Sequence, residues 1–546
     1  MVHPVNANPR PLSPHAISLS SVAECAGLSR TRLVVIDPRV VVTGVSLDSR
    51  AIRPGDLYAA LPGANLHGAR FVAAAIALGA SAVLTDPAGA ALLALNEITV
   101  PVLVVPDPRA VLGSVSATIY GRASDALTML GITGTNGKTT TAYLLDSALR
   151  ALGQVTGLIG TVETRIGQDR IKSVRTTPES PDLHALFAVM RERGVDTCTM
   201  EVSSHALALH RVDGVHYDVA AFTNLSQDHL DFHGSMENYF LAKKSLFTPE
   251  RTARAVVCVD DEWGQRLARE SLVPVETVAS SPKVTADWQI RARAGDESAF
   301  ELVGDAGRLS LWSAMPGDFN RVNTAVAALV LLAAGHPVDV IESALATDPH
   351  VPGRMEQVVV AGLPETHSHA DPSGADQLHM PLAVVDFAHT PSAVAASLKA
   401  LRHTTRGSLT VVLGAGGDRD GGKREAMGAA AAEHADFVII TDDNPRFEDP
   451  ATIRASLLRG ALAQARSTAQ VRGRIREVGD RATAIREAVA PASAGDTVVV
   501  LGKGHEIGQE IAGVTHPFDD RAQLRAALME KSVGHPVTDL TQGEAR

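Results

Sequence analysis

The chain is poor in the residues that staple or coat a protein. Three cysteines in 546 residues, Cys25, Cys198 and Cys258, are scattered with no CxxC spacing. That excludes a disulfide framework or a cysteine zinc site and fits a reducing cytosol. Aromatic residues make up only 4%. Positive charge is not in excess: 50 Lys and Arg against 61 Asp and Glu leave a formal net charge of −11. This argues against a surface that coats nucleic acid, which needs a basic stripe, but not against anionic ligands held by local positive charge. Long apolar runs are missing too. The most apolar window, "FVAAAIALGASAVLT", is broken by glycine and too short for a membrane span. The start, "MVHPVNANPRPLSPHA", has no basic stretch leading into an apolar run, so a cytoplasmic chain without a signal peptide is expected.

What is present is 45% hydrophobic and 20% charged, a globular composition, over a length that calls for two to four domains. Residues 1–16, rich in proline and polar side chains, read as a loose tail. Over 17–106, "FVAAAIALGA", "SAVLT" and "VPVLVVPD" read as helix and strands of a small α/β domain. Over 107–352, "LTMLGIT", "TCTMEV" and "YDVAAFTN" read as strands apolar on both faces, as a sheet covered by helices requires. Over 353–546, "SLTVVLGAGG", "DFVIITDD" and "DTVVVLGKG" run into polar or glycine turns between helical stretches, predicting a second doubly wound sheet. The histidine-bearing "PETHSHADPSGADQLHMP" (364–381) has no ligand spacing and reads as a solvated insertion.

The chemistry starts at "MLGITGTNGKTTTAYLL". A nucleotide loop usually reads Gly, four residues, Gly-Lys-Ser/Thr. Here the expected first glycine is Ile132, and glycines stand at 131 and 134 instead. A strand, a glycine turn and a helix from about Lys138 still make a phosphate site. Backbone N–H groups and the helix end face the anion, Lys138 adds charge, and Thr139 or Thr140 can ligate Mg²⁺. Glu201, at the carboxyl end of "TMEV", suits a hard-oxygen Mg²⁺ ligand, although a charged strand end alone would read the same way.

"FTNLSQDHLDFHGSMENYFLAKKSLF" follows a strand end with Asp228, His229, Asp231 and His233, too many polar groups for a core. Tyr239, Phe240 and Phe247 beside Lys243 and Lys244 suggest a helix with one buried face. A lysine there would be repelled by Mg²⁺ unless its charge changed. "GAGGDRDGG" imitates a dinucleotide fingerprint, but Arg419 occupies the position that needs glycine.

Taken in order, "GTNGKTT", "TTPES", "EVSSHAL", "NLSQDHLDFHG", "YFLAK", "GDFNRVN", "PGRME", "DFAHTP", "GGDRD", "DNPR" and "GKGHE" resemble the Mur ligase family from about Leu47 to Arg521. The resemblance implies three α/β domains: an N-terminal UDP-binding domain, a central P-loop ATPase-like parallel sheet and a C-terminal Rossmann-like domain. It implies an ATP- and Mg²⁺-dependent amide ligase of peptidoglycan precursor synthesis, working through an acyl phosphate. By similarity, Gly134, Thr135, Asn136, Gly137, Lys138, Thr139 and Thr140 bind ATP, with Asn320 and Arg354. Thr139, Glu201, His229 and Lys243 match metal-site positions, Lys243 being carbamylated in the family. Carbamylation removes the difficulty of a cation beside Mg²⁺.

Leu47, Ser49, Thr176, Thr177, Ser203 and Arg211 match contacts to UDP-N-acetylmuramoyl-L-alanyl-D-glutamate. Leu209 departs from a common glutamine. Asp386 and His389 match an Asp-Tyr-Ala-His pair, with Phe387 in place of tyrosine. Arg419, Asp443, Asn444, Pro445, Arg446, Gly502 and Glu506 match the site of the incoming amino acid. Arg446 suits a second carboxylate, hence meso-diaminopimelate, and would repel the ammonium of L-lysine. The alternatives are a lysine-adding ligase, a folylpolyglutamate synthetase-like ligase, and a non-catalytic nucleotide-binding regulator. Retention of Lys138, Glu201, His229 and Lys243 together speaks against the last. A monomer acting on small molecules is expected.

Overall fold

The computed structural model describes residues 9–28, 37, 39–94, 98–293, 295–360, 380–467 and 474–533. Almost all of the 364–381 segment lies outside the described residues. The fold is mixed α/β, built on three sheets met in chain order. The first has four parallel strands, Gly44–Ser46, Asp56–Ala60, Ala82–Thr85 and Val102–Val104.

The second has eleven strands. Its parallel centre runs Thr156–Ile159, Thr197–Glu201, Thr128–Thr133, Tyr217–Phe222 and Thr252–Cys258. Thr128–Thr133 is therefore central, flanked by the strands that end in Glu201 and Phe222. These strands are apolar on both faces because helices cover both. Lys138–Ala151 and Asp318–Ala333 pack on one side through Leu145, Leu149 and Leu329, and Ser180–Glu192 packs on the other through Phe187 and Met190.

The third sheet orders Glu356–Gln357, Leu382–Asp386, Thr497–Leu501, Leu409–Leu413, Phe437–Ile440 and Arg474–Glu477. All its pairings but the first are parallel. In the two larger sheets the loops that follow the carboxyl ends of the parallel strands carry the polar motifs, which is where open α/β sheets bind ligands.

Two features depart from the sequence reading. Residues 9–16, expected to be loose, are held in place. Arg10 reaches the Asp56 carboxylate and the Tyr120 hydroxyl, and Leu12 and Ser13 donate their N–H groups to Glu192 at 2.9 and 2.8 Å. The central sheet extends through antiparallel strands Trp288–Arg293, Asp296–Gly304 and Gly307–Trp312, which carry no doubly apolar run. Their inward residues alternate, with Leu309 and Leu311 buried between exposed neighbours. The helix Met236–Lys244 buries Tyr239 and Phe240 as expected, and Lys243 with them. Among the described residues no helix is long and apolar enough to cross a membrane.

Candidate active site

A cavity of about 2160 Å³ opens between the central and C-terminal sheets. The phosphate loop forms its floor. Gly134 and Gly137 take φ of +148° and +90°, and a Cβ on Gly134 would collide with the Thr223 hydroxyl. Thr223 and Asn224 pin the loop: both donate to the Asn136 carbonyl, at 2.6 and 3.1 Å, and the Asn224 side-chain oxygen accepts from the Asn136 N–H at 3.0 Å. No side chain caps the helix at Gly137, and Lys138, Thr139 and Thr140 of its first turn line the cavity, the arrangement in which helix N-termini accept anions. Asn224 lies inside a motif noted in the sequence, yet nothing in its residue type marked it as the partner of Asn136.

Lys138 donates to the carbonyls of Gly134 and Thr135 at 3.0 and 2.9 Å. Lys243 donates to the same Gly134 carbonyl at 2.8 Å, with its nitrogen 4.7 Å from the centre of the Tyr239 ring. Burial, and then the charge of Lys138, push the Lys243 amine well below its ordinary pKa.

Glu201 ends its strand only 1% exposed. Thr139 donates to its Oε2 at 3.0 Å, and Arg354 donates to the Thr139 hydroxyl at 3.1 Å. Arg354 also lies 4.1 Å over the Phe387 ring. The ring face serves that contact, which needs no tyrosine hydroxyl.

His229 sits in a left-handed turn with its side chain 41% exposed, and partial desolvation lowers its pKa. Burial works against ionisation of Asp228, but the hydrogen-bonding His389 and the Lys423 cation outweigh it and hold that carboxyl far below the usual range. Lys423 reaches Asp228 at 2.9 Å, tying the C-terminal sheet to the central one.

The expected metal ligands are not gathered into one preformed cluster. Thr139 and Glu201 meet, His229 lines the cavity, and Lys243 lies beneath the loop, outside the wall. Among the described residues no group of three or more His, Cys, Asp or Glu is placed to hold a metal ion. Mg²⁺ does not require one, since it keeps waters and takes one or two carboxylates plus substrate phosphates. Thr139 and Glu201 fit that demand.

At the far end, Lys503 is fully buried. It donates to the Gly508 carbonyl, the Asn444 side chain and Glu506 at 2.6, 3.1 and 3.1 Å, and Asn444 donates to Glu506 at 2.7 Å. Arg446, at φ +52°, donates to the Gly417 carbonyl at 2.7 Å and faces Glu510 at 3.3 Å. Sequence reasoning missed Lys503 and Glu510. Lys503 stood within a quoted motif, whereas Glu510 lies on an unforeseen hairpin strand, Gly508–Ile511.

Asn320, Thr176, Thr177, Ser203, Arg211, Arg419, Asp443 and Gly502 also line the cavity. Asn320 is held by the Pro316 carbonyl at 2.8 Å, Thr177 by the Glu201 carbonyl at 2.8 Å, and Arg211 by Glu179 at 2.9 Å. Leu47 and Ser49 are not brought to this wall; Leu47 packs on the apolar core. Pro445 and Gly134 shape loops and do not line the cavity.

Comparison with known proteins agrees with this geometry. Residues 41–120 match the description "Mur ligase family, catalytic domain", residues 132–331 the Mur ligase middle domain, and residues 376–504 the Mur ligase glutamate ligase domain. A UDP-N-acetylmuramoyl-L-alanyl-D-glutamate–2,6-diaminopimelate ligase of Streptomyces coelicolor is 51% identical, over 95% of this chain and 98% of its own. One so named from Corynebacterium efficiens is 47% identical, over 90% and 91%. A solved structure of a ligase with that name superposes with a TM-score of 0.63 at 30% identity, covering 96% of this chain and all of its own. The chain belongs to the Mur ligase family.

Proposed function

We propose that this chain joins meso-2,6-diaminopimelate to the γ-carboxylate of the D-glutamyl residue of UDP-N-acetylmuramoyl-L-alanyl-D-glutamate, at the expense of ATP. The observation that carries the reading is one cavity with a phosphate loop at one end and the Arg446–Glu510 pair at the other. Relatives of that named activity match nearly the whole chain. Residues 17–106 are assigned to the UDP-sugar, 107–352 to ATP and 353–546 to the amino acid. The chain is taken to act as a monomer in the cytoplasm, in keeping with three free cysteines.

The loop N–H groups and Lys138 hold the ATP phosphates. The substrate γ-carboxylate attacks the terminal phosphorus, ADP leaves, and an acyl phosphate forms. The incoming amine then adds to the acyl carbon, and phosphate departs as the amine loses a proton. Mg²⁺ would be held by Thr139 and Glu201, with His229 and a carbamylated Lys243 as further donors; it would offset phosphate charge as a Lewis acid. An uncharged Lys243 amine can add CO₂ and release a proton, exchanging a cation for an anionic oxygen donor. Arg354 orients the Thr139 hydroxyl.

Selection of the amino acid follows from charge. The distal end of meso-diaminopimelate carries a carboxylate and an ammonium, complementary to Arg446 and Glu510. L-lysine ends in an ammonium alone and leaves Arg446 without an anion.

The test is phosphate release by purified protein with ATP, Mg²⁺ and the UDP-dipeptide, adding meso-diaminopimelate or L-lysine in parallel. Turnover only with diaminopimelate is expected. Turnover only with lysine would overturn the specificity, and none with either would overturn the substrate assignment.

A further inference from the structure

Thr161 belongs to none of the motifs, yet it touches two parts of the cavity at once. It follows the strand Thr156–Ile159. Its N–H donates to Glu201 Oε1 at 2.7 Å, and its hydroxyl reaches Glu201 Oε2 at 3.0 Å and the Thr176 hydroxyl at 3.0 Å. Glu201 stands at the end assigned to the nucleotide, and Thr176 in the loop assigned to the UDP-dipeptide.

The direction of the hydrogen bonds is fixed by chemistry. A carboxylate only accepts, so the single Thr161 hydroxyl proton goes to Glu201, and Thr176 must then donate to Thr161. Thr139 spends its own proton on Glu201 Oε2. Oε2 thus receives two hydroxyls and Oε1 one N–H, which leaves Oε1 a free lone pair. Gly160 adds to the constraint, because a Cβ there would press on Oε1. The carboxylate has one orientation, and Thr161 supplies two of the three bonds that set it.

We propose that Thr161 is a positioning residue that fixes the Glu201 carboxylate and, through Thr176, makes the orientation of the nucleotide site depend on that of the UDP-dipeptide loop. The inference rests on the functional reading above for the identity of the two ligands. The hydroxyl is the operative group: valine has the same shape and cannot carry the chain of hydrogen bonds, while serine can.

The experiment compares wild type, Thr161→Val, Thr161→Ser, Thr176→Val and the double valine variant. It measures calorimetric affinity for Mg²⁺ with a non-hydrolysable ATP analogue, and kcat and KM for the UDP-dipeptide. Thr161→Val is expected to weaken analogue binding and lower kcat by about 10- to 100-fold, as loss of a group that orients a ligand-holding carboxylate does. Thr161→Ser should stay within about 3-fold of wild type, and in analogue affinity Thr176→Val should add little to Thr161→Val because the two share one hydrogen-bond chain. Serine as poor as valine, additive losses, or unchanged analogue affinity would each overturn the proposal. Analogue affinity does not depend on which acid or amino acid the chain uses. A failure of the substrate assignment therefore shows as a wild-type protein without turnover, and the analogue still decides the role of Thr161.

Discussion

Lys138 and Lys243 converge on one oxygen, the Gly134 carbonyl, at 3.0 and 2.8 Å. Two ammonium groups sharing one acceptor in a buried site repel each other, and the fully buried Lys243 yields, its pKa lowered by burial and by its neighbour. A lowered pKa favours the neutral, nucleophilic amine, which is the form that the proposed reaction with CO₂ requires.

Lys243→Ala should therefore cut kcat by about 100-fold or more, on the scale of losing a group that stabilises transition-state charge. Lys243→Arg should not rescue it, because guanidinium stays protonated and forms no carbamate. Wild-type protein exposed to ¹³C-labelled CO₂ should show a carbamate carbonyl resonance that is absent from both variants. A fully active Lys243→Arg variant would sink this role.

Arg446 and Glu510 face each other at 3.3 Å on the cavity wall, about a fifth and a third exposed. Glu510 offsets the charge of Arg446, and under the proposed function diaminopimelate exchanges that pair for two of its own. Arg446→Ala should raise KM for meso-diaminopimelate by about 10- to 100-fold, the cost of one charge-assisted bidentate contact. Glu510→Gln should raise it by about 3- to 10-fold, since its carboxylate contact is partly solvated. Neither change should alter KM for ATP. Equal rises for ATP and diaminopimelate would show that the variants disturb the fold and not the amino-acid end.

The parallel strands and the phosphate loop were legible in the sequence because each carries a local signal: a doubly apolar run, or glycines ahead of a helix. Glu201 could be placed because a strand end determines where its side chain emerges. The antiparallel extension beyond Trp288 was not, since half-buried edge strands alternate too weakly to stand out. Thr161 and Lys503 were hidden for another reason. Their roles lie in partners 40 and 59 positions away in the chain, Glu201 and Asn444, and a threonine or lysine beside a glycine has no local pattern that reveals such a partner. Leu47 and Ser49, which the family resemblance named, follow the first-sheet strand Gly44–Ser46 and lie outside this cavity wall.

Arg481 and Asp520 form an ion pair with both side chains wholly buried, joined by two hydrogen bonds of 2.7 Å, and Arg481 also donates to the Leu501 carbonyl at 2.9 Å. The pair fastens the helix Asp520–Val533 to the end of the strand Thr497–Leu501. Removing one partner strands a buried charge, so Asp520→Ala should destabilise the C-terminal region by about 3 to 5 kcal/mol. Replacing both with apolar residues of similar size should cost much less. Hydrogen exchange of helix 520–533 would report this locally. Equal loss in the single and double variants would mean that the bonds, not the stranded charge, carry the stability.

His184 lies on the buried side of helix Ser180–Glu192, with Nε2 3.0 Å from the Asp213 carbonyl. Burial lowers its pKa from 6.5 to about 4, so the folded protein holds it neutral where the unfolded chain would protonate it. A depressed folded pKa makes its contribution complete above about pH 6.5 and lost as pH falls toward 4. The lost stability approaches about 3 kcal/mol at 1.36 kcal/mol per pKa unit. His184→Gln cannot titrate and can still donate to Asp213. Its stability deficit relative to wild type, read from thermal denaturation, should be about 1 to 2 kcal/mol near neutral pH, the usual cost of a disturbed buried hydrogen bond. That deficit should shrink or reverse toward pH 5. The other buried histidines acidify both proteins alike and cancel in the difference. A deficit constant across that range would show that His184 does not titrate on unfolding and that its burial costs the acid stability of the chain nothing.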